Sequence, residues 1–474
     1  MLIIGAWNWL KWLFAFTAAL AGAFALSGCK GIPTPSEKAA RYDLERVSAV
    51  YRPGGLPPVL PVLTSNSSLS NFIEFAFLNQ PAVSAAYYDW VASVERITQA
   101  RSFPDPQFAF QMDIQNVVTS VMPGLMGTLP WPGKLRAGAD VASADSRAKY
   151  YAFQSAILQS AFEVKRTYYQ LEFLSEKLRV NQDTLQLLGG LERLARAQNE
   201  VGKSTLQDVL RAQIEQQRLR TELANLEDSS NALVAQFKAA LGLNASDPGP
   251  PIPSKFEPST LDTDPGNLLN VALSRNQRLR GLQSEIQAAE ASIKLAEQGR
   301  FPDVTLGFMA DAKTDPTLYR FPGNPGTISL PIWRDKIAAQ IAEAEANKRS
   351  TEARLSAEEI ALAVAVAEKS YLYNQANRNV ALLSEQLLPK ASQSFELAQT
   401  GYLAGQIDFF NLTDSERTLL AFKLDQVEAR MQRELALAEL SLISIGMSPG
   451  ENRMNTSRAG AAMSLGTPKK PAGM

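Results

Sequence analysis

The chain has 474 residues, 45% of them hydrophobic and 20% charged, and its 47 Lys+Arg nearly match its 48 Asp+Glu. That balance leaves no basic field for nucleic acid. There is no His and only one Cys, which removes most metal centres, His-based acid/base chemistry and any disulfide framework; no motif points to a catalytic carboxylate pair.

The N-terminus reads as a targeting segment. Residues 12–26 run uncharged and largely apolar from Trp12 to Leu26, with Lys11 alone as the basic region. That is short for a transmembrane helix and right for a signal-peptide core. Leu26-Ser27-Gly28-Cys29 follows, and it resembles the bacterial lipobox, with the chain's only Cys in the Cys position. The resemblance implies a lipoprotein signal peptide over 1–28 and a diacylglyceryl thioether and acylated amine on Cys29, a covalent lipid in place of any cofactor. Each buried methylene adds about 0.8 kcal/mol, and more than one acyl chain makes such anchoring stable. Lys30, standing where an Asp would mark inner-membrane retention, implies outer-membrane sorting. The alternative is a buried, unreactive Cys.

Prolines punctuate what comes next. Pro33, Pro35, Pro53, Pro57, Pro58 and Pro61 predict an extended tether over 29–65. A second Pro-rich stretch, 248–265, holds Pro248, Pro250, Pro251, Pro253 and Pro258 and reads as a linker. The tail, 448–474, is small and polar and reads as disordered. The linkers leave two repeats, 66–247 and 266–447.

These two stretches are one duplicated unit. Arg101-Ser102-Phe103-Pro104-Asp105 returns as Gly299-Arg300-Phe301-Pro302-Asp303, and Leu129-Pro130-Trp131 as Leu330-Pro331-Ile332. Tyr169 matches Tyr371, Val201-Gly202-Lys203 matches Ala404-Gly405-Gln406, and Leu241-Gly242 matches Ile445-Gly446. Landmarks about 200 residues apart, in constant order, are too widely spaced for a solenoid. Each unit reads helix, strand, strand, long helix, helix. Leu171, Leu174, Leu178, Asn181, Leu185 and Leu188 step by three and four, as do Leu219, Leu223, Leu226, Ser230, Leu233 and Phe237. That spacing gives narrow coiled-coil seams. The helix from about 134 to 200 would be roughly 100 Å long at 1.5 Å per residue, longer than a globular core needs.

The strands decide the class. Phe108, Phe110, Met112 and Ile114 alternate with polar or small residues, and Val304, Leu306, Phe308 and Ala310 alternate with Asp303, Thr305, Gly307, Met309 and Asp311. Weaker strands are predicted over 117–129 and 324–330. With the helices spending their apolar faces on one another, this alternation suits a membrane barrel, apolar outward. One chain offers four strands, too few to close, and lipid does not tolerate an open edge. Two copies would give eight strands and a filled lumen; three would give twelve and a pore.

On these features the chain resembles the TolC family of outer-membrane efflux proteins. The resemblance rests on the duplicated helix–hairpin–helix–helix unit, the Leu-Pro step into each long helix, and the segment Leu387-Leu388-Pro389, Ala391, Phe395, Ala398, Tyr402, Gly405. It covers about 66–447. Leu129-Pro130-Trp131-Pro132-Gly133-Lys134 is similar to the version in heavy-metal efflux members. The family implies a mainly α chain with membrane β-strands. It also implies a homotrimer whose twelve-stranded barrel continues as a coiled-coil tunnel, docked on a periplasmic adaptor and an inner-membrane pump, often of the resistance–nodulation–division class. The duct does no chemistry. A coiled-coil lipoprotein tether or a carboxylate-based envelope hydrolase are the competing classes.

Two sets of site residues follow. Val201, Gly202, Lys203 and Ser204, with Leu403, Ala404, Gly405 and Gln406, should be helix reversals at the periplasmic end, glycine supplying positive φ. By resemblance they also meet the adaptor. The family closes its periplasmic entrance with acidic rings just after the second tip, which places the gate at Asn411 and Asp414, and at Asp208 in the first repeat. A carboxylate repeated around a narrow axis draws in cations; the first of these positions is not acidic here. Met112, Met122 and Met126 near the first hairpin are of a type that soft metals favour, but filling apolar space is the commoner use of Met, and alternation puts Met112 toward lipid.

Overall fold

The computed structural model describes residues 33–114, 118–253, 267–309, 312–313 and 326–444. The lipobox Cys29, most of the second linker and the tail lie outside them. The chain divides into two compact units: Met1–Arg41 with Val94–Ser143 and Glu290–Ala344, and Tyr42–Ser93 with Ala144–Ala289 and Glu345–Met474.

The element order repeats. The first repeat runs α2 (Leu69–Asn79), α3 (Pro81–Arg101), β1 (Gln107–Ile114), β2 (Val118–Leu129), α4 (Pro132–Glu200) and α5 (Leu206–Ala240). The second runs α6 (Leu268–Arg275), α7 (Gln277–Gln298), β3 (Asp303–Met309), β4 (Ala312–Lys313), β5 (Thr327–Ser329), α8 (Arg334–Leu382), a π-helical turn at Leu383–Leu387, α9 (Leu388–Leu403) and α10 (Phe409–Ser444). The long helix predicted from about 134 is the 69-residue α4.

Two expectations need correction. Residues 29–65 are not extended throughout: α1 occupies Pro35–Tyr51. Pro35 stands at the first helical position, where its missing N–H costs nothing, and no proline follows until Pro53. Thr34 Oγ1 accepts from the Glu37 N–H at 3.2 Å. The Glu37 side chain is fully buried, and both Arg101 and Thr98 donate to it, Thr98 at 2.8 Å. Second, each repeat opens with two helices instead of one. Pro81 breaks the first pair, and Asn276 breaks the second by capping α7, its Oδ1 accepting from Arg278 N at 2.9 Å. The break residues then reach equivalent places. Gln80 Nε2 donates to the carbonyls of Ala239 and Ala240 at the end of α5, and Asn276 Nδ2 to that of Ile443 at the end of α10.

In the first unit the strands form one antiparallel sheet in the order β1-β2-β3-β5, with β4 extending the β3 side of β2. Its register sorts the residues. Phe108 lies opposite Leu125, Gly127 opposite Leu306, Leu129 opposite Val304, and Val304 opposite Ile328. On the other face Gln107, Met126 and Gly307 share a row, and so do Thr128, Thr305 and Thr327. Phe108, Leu125, Leu306 and Ile328 are exposed. Met126 therefore sits on the polar face.

In the second unit the seams close as the heptads predict: Leu171, Leu174, Asn181 and Leu188 of α4 and Leu219, Leu223, Leu226 and Phe237 of α5 are buried. Phe72 and Ile73 of α2 pack with Val164 and Tyr168 of α4 and Phe237 of α5. The second repeat builds the matching core from Leu268 and Ala272 of α6, Leu362 and Val366 of α8, and Leu440 of α10.

Candidate tips, gate and sheet junction

Both tips use the same backbone device. At the end of α4, Gly202 N–H donates to Asn199 O at 2.9 Å and Lys203 N–H to Gln198 O at 2.8 Å. At the end of α9, Gly405 N–H donates to Tyr402 O at 3.0 Å and Gln406 N–H to Gly401 O at 2.8 Å. Each is a Schellman cap, and each glycine sits at φ 73. Val201, Gly202, Lys203, Leu403, Ala404, Gly405 and Gln406 are exposed, while Ser204 is half-buried and donates its hydroxyl to Ala195 O. Immediately behind the tips, Leu191, Ala195, Val209 and Ala212 of the first repeat pack with Tyr402, Phe409 and Leu412 of the second in one core.

The residues expected at the gate fall where helices begin. Asp208 Oδ2 accepts from Thr205 N–H at 3.0 Å at the start of α5. Asn411 gives its backbone N–H to Asp408 Oδ1 at 2.9 Å at the start of α10. Asp414 is exposed one turn further on. Among the described residues, no hydrogen bond or ion pair links these three side chains to one another.

The sequence reading missed the groups that tie the helices together behind the tips. Arg417 of α10 pairs with Glu215 of α5, and the Arg211 guanidinium lies 5.4 Å from the Phe410 ring centre. Glu192 of α4 accepts from Gln213 and Gln216 of α5, each at 2.8 Å. Hydrogen bonds from Gln213, Gln216 and Arg196 bring its carboxyl down to about 2. Glu416 is the opposite case. It is 2% exposed, its Oε1 has no hydrogen-bond partner, and burial first, then the Glu215 charge, push it up to about 7. No spacing rule pairs residues 200 positions apart; only the repeat offset could have suggested Glu215 with Arg417.

In the first unit the two copied motifs meet each other. The Trp131 ring stacks on Phe301, centroids 5.0 Å apart and planes 11° off parallel. Asp303 Oδ1 accepts from Trp131 N–H at 3.0 Å and from Lys134 Nζ at 2.8 Å. The exit from the first hairpin is thus clamped to the lead-in of the second. Among the described residues no helix is long and apolar enough to cross a membrane and no cluster of His, Cys, Asp or Glu could hold a metal; a barrel strand is judged by other criteria.

The comparisons with known proteins follow the same division. A family model described as "Outer membrane efflux protein" matches residues 73–243 and again 268–444. The Pyoverdine export outer membrane protein OpmQ of Pseudomonas putida is 25% identical over 317 residues, covering 65% of this chain and 66% of that protein. The Cobalt-zinc-cadmium resistance protein CzcC of Cupriavidus metallidurans is 26% identical over 236 residues, 47% of this chain and 52% of that one. The chain thus spans just under two thirds of the first relative and about half of the second. Among solved structures, the outer membrane protein VceC of Vibrio cholerae has the same fold, with TM-score 0.65 at 19% identity over 80% of this chain and 96% of that one.

Proposed function

Because the chain belongs to the outer membrane efflux protein family, we propose that it is the passive exit duct of an efflux system, three copies closing one barrel in the outer membrane. The exposed apolar face of the sheet carries this reading. Phe108, Leu125, Leu306 and Ile328 share an exposed face with no layer of the described residues over it, backed by the Thr128–Thr305–Thr327 row on the other. Lipid outside and water inside satisfy both. Assembly from several copies is supported by the landmark tyrosines. Tyr169 is 1% exposed, but its counterpart Tyr371 is 57% exposed and shares α8 with exposed Ile360 and Val364, an apolar stripe that a second copy would cover.

A periplasmic adaptor docks on the two tips, and an inner-membrane pump of the resistance–nodulation–division class supplies the cargo and the energy. Cys29 carries the lipid, so Cys29→Ser protein should take up no labelled palmitate. The duct itself is tested with purified protein in a planar bilayer. Stepwise conductance from a species that runs as a heat-sensitive oligomer on a mild detergent gel is the expected result. A monomer without conductance would leave a coiled-coil tether as the better reading.

A further inference from the structure

Different chemistry holds α10 to its own repeat and to the first one. Within its own repeat, Phe409 and Leu412 join Tyr402 of α9 in one core, Leu440 joins Leu268 and Leu362 in another, and Glu439 pairs with Lys369 of α8 at 2.9 Å. Against the first repeat, acid faces acid at two levels. Glu416 is buried opposite α5, with no hydrogen-bond partner for its Oε1. The charged groups around it are Glu215 of α5 and, on α10 itself, Arg417 and Lys423; Glu215 and Arg417 are already paired with each other. Further along, α10 meets α4 around a cavity of about 450 Å³. Its walls carry Glu172, Glu176 and Arg179 of α4 and Arg430, Arg433 and Glu434 of α10. Arg179 pairs with Glu176 at 2.7 Å and Arg433 with the buried Glu434 at 2.6 Å. Glu172 is half-buried and has no ion pair among the described residues. Burial first, then the charges of Glu434 and Glu176, push its carboxyl up to about 7 against Arg430 and Arg433.

We propose that the seam between α10 and the first repeat is a proton-sensitive latch: α10 packs on α4 and α5 while Glu172 and Glu416 are protonated, and its tip end draws away when both ionise. An ionised carboxylate in either place has no donor to replace its water and stands beside another carboxylate. Separation hydrates both acids and lengthens their distances to Glu434 and Glu215. The two act in the same direction on one helix, so their effects add. The far end of α10 is the pivot. There Asn276 Nδ2 donates to the carbonyl of Ile443, and the Glu439 hydrogen bond holds the Lys369 ammonium above its ordinary value, so neither tie is lost near neutral pH. The latch is a property of a single chain. Its use, an entrance that widens as the surrounding pH rises, rests on the duct reading.

Hydrogen exchange of the full chain, corrected for the intrinsic rate at each pH, tests the latch. Carboxyls at about 7 when closed and an ordinary 4.5 when open raise the open-to-closed ratio about tenfold between pH 6 and 8 for each acid, about a hundredfold for the two. Amides of α10 between Asn411 and Glu434 should lose protection by that order, and those beside Glu439 should not. The Glu172→Gln, Glu416→Gln variant, uncharged at every pH, should keep its pH 6 protection at pH 8. Glu428→Gln, which changes an exposed acid of the same helix, should behave as the parent. Should the double variant fail to fold, Glu416→Gln alone should lose about tenfold where the parent loses about a hundredfold. Protection that ignores pH in the parent, or falls as steeply in the variants, would overturn the latch. Planar-bilayer conductance tests its use. A rise from pH 6 to 8 in the parent and not in the double variant is expected. Flat conductance beside falling protection would overturn control of the entrance and leave the latch; no conductance at all would overturn the duct reading alone.

Discussion

Asp208 and Asp408 close equivalent turns from opposite ends: the first, in the third position of α5, accepts from the backbone of Thr205, and the second, just before α10, accepts from the backbone of Asn411. Thr205 and Asp408 each lie three residues past a tip glycine, and Asp208 and Asn411 each six. The acid has changed places within the cap. Asn411 is therefore not a lost acid, because the carboxylate of that turn stands at Asp408. Replacing Asp408 with Ala should remove a helix cap worth about 1 kcal/mol and lower the thermal dissociation temperature of the purified protein. Asp408→Asn, which keeps the acceptor, should restore most of it.

Asp414 makes no such cap, so its substitution separates charge from structure. Asp414→Asn should leave thermal stability within about 0.5 kcal/mol, as for other exposed changes, while reducing cation-over-anion selectivity and block by trivalent ions in bilayer recordings. Unchanged selectivity and block in the Asp414→Asn, Asp208→Asn channel would place the constriction elsewhere.

Lys203 and Gln406 are exposed at their turns, and their backbone N–H groups complete the caps, so side-chain changes there leave the folds of the tips alone. Cysteines at either position should crosslink to the periplasmic adaptor in cells. Crosslinks arising only from cysteines placed in the 312–325 segment would reverse the orientation.

Much of this was legible from local pattern. Period-two alternation found the strands, three-and-four spacing found the buried seams, and two glycines found the tips, because each signal depends on a few neighbouring residues. The helix at 35–51 was hidden by its own punctuation: Pro35 opens a helix as readily as it marks a tether. The divided lead-in of the second repeat was missed because Asn276 breaks the chain with a side-chain cap and no proline; that of the first was missed although Pro81 marks its break. The Arg417–Glu215 pair and the Trp131–Phe301 stack join segments far apart in sequence, where periodicity is silent.

Two buried acids should give stability opposite slopes with pH. Glu416 has a folded value of about 7 against an ordinary 4.5, raised by burial and by Glu215, with Arg417 and Lys423 opposing. Between about pH 4.5 and 7 the folded chain keeps a proton the unfolded chain has lost, so stability falls as pH rises. Glu416→Gln should flatten that fall, a gain of up to roughly 3 kcal/mol at pH 8 and little at pH 4. For Glu37, burial works to raise the carboxyl, but Arg101, Thr98 and Arg41 outweigh it and hold it below 4.5. Its contribution is present above pH 4.5 and lost as pH falls below. Glu37→Gln should therefore destabilise at pH 7 and converge on the parent in acid. Melting temperatures across about pH 2 to 8 would sink the assignment if the two variants tracked each other.

Gly202 and Gly242 share a φ near 73 and 72 but not a setting. A Cβ on Gly202 would meet nothing within 4 Å, whereas one on Gly242 would come within 2.8 Å of Gln80 Cα and 2.9 Å of Asn79 O. Gly202→Ala should cost only the positive-φ penalty, about 1 kcal/mol. Gly242→Ala must also displace the backbone that joins α2 to α3, and should cost at least twice as much in a denaturant titration. Equal costs would mean that the close approach at Gly242 is not real.

The clamp of Trp131 and Lys134 on Phe301 and Asp303 has a kinetic meaning. Two hairpins on separate chains would have to find each other by diffusion at the dilution of a newly exported protein. Joined through one polypeptide, they meet at an effective concentration set by the tether, in the millimolar range for short flexible links. In a ring closed by several copies, fusion of the two repeats thus converts every second contact between hairpins into a folding step. The number of encounters between separate molecules is halved, and with it the time that bare strand edges stay open to the wrong partner.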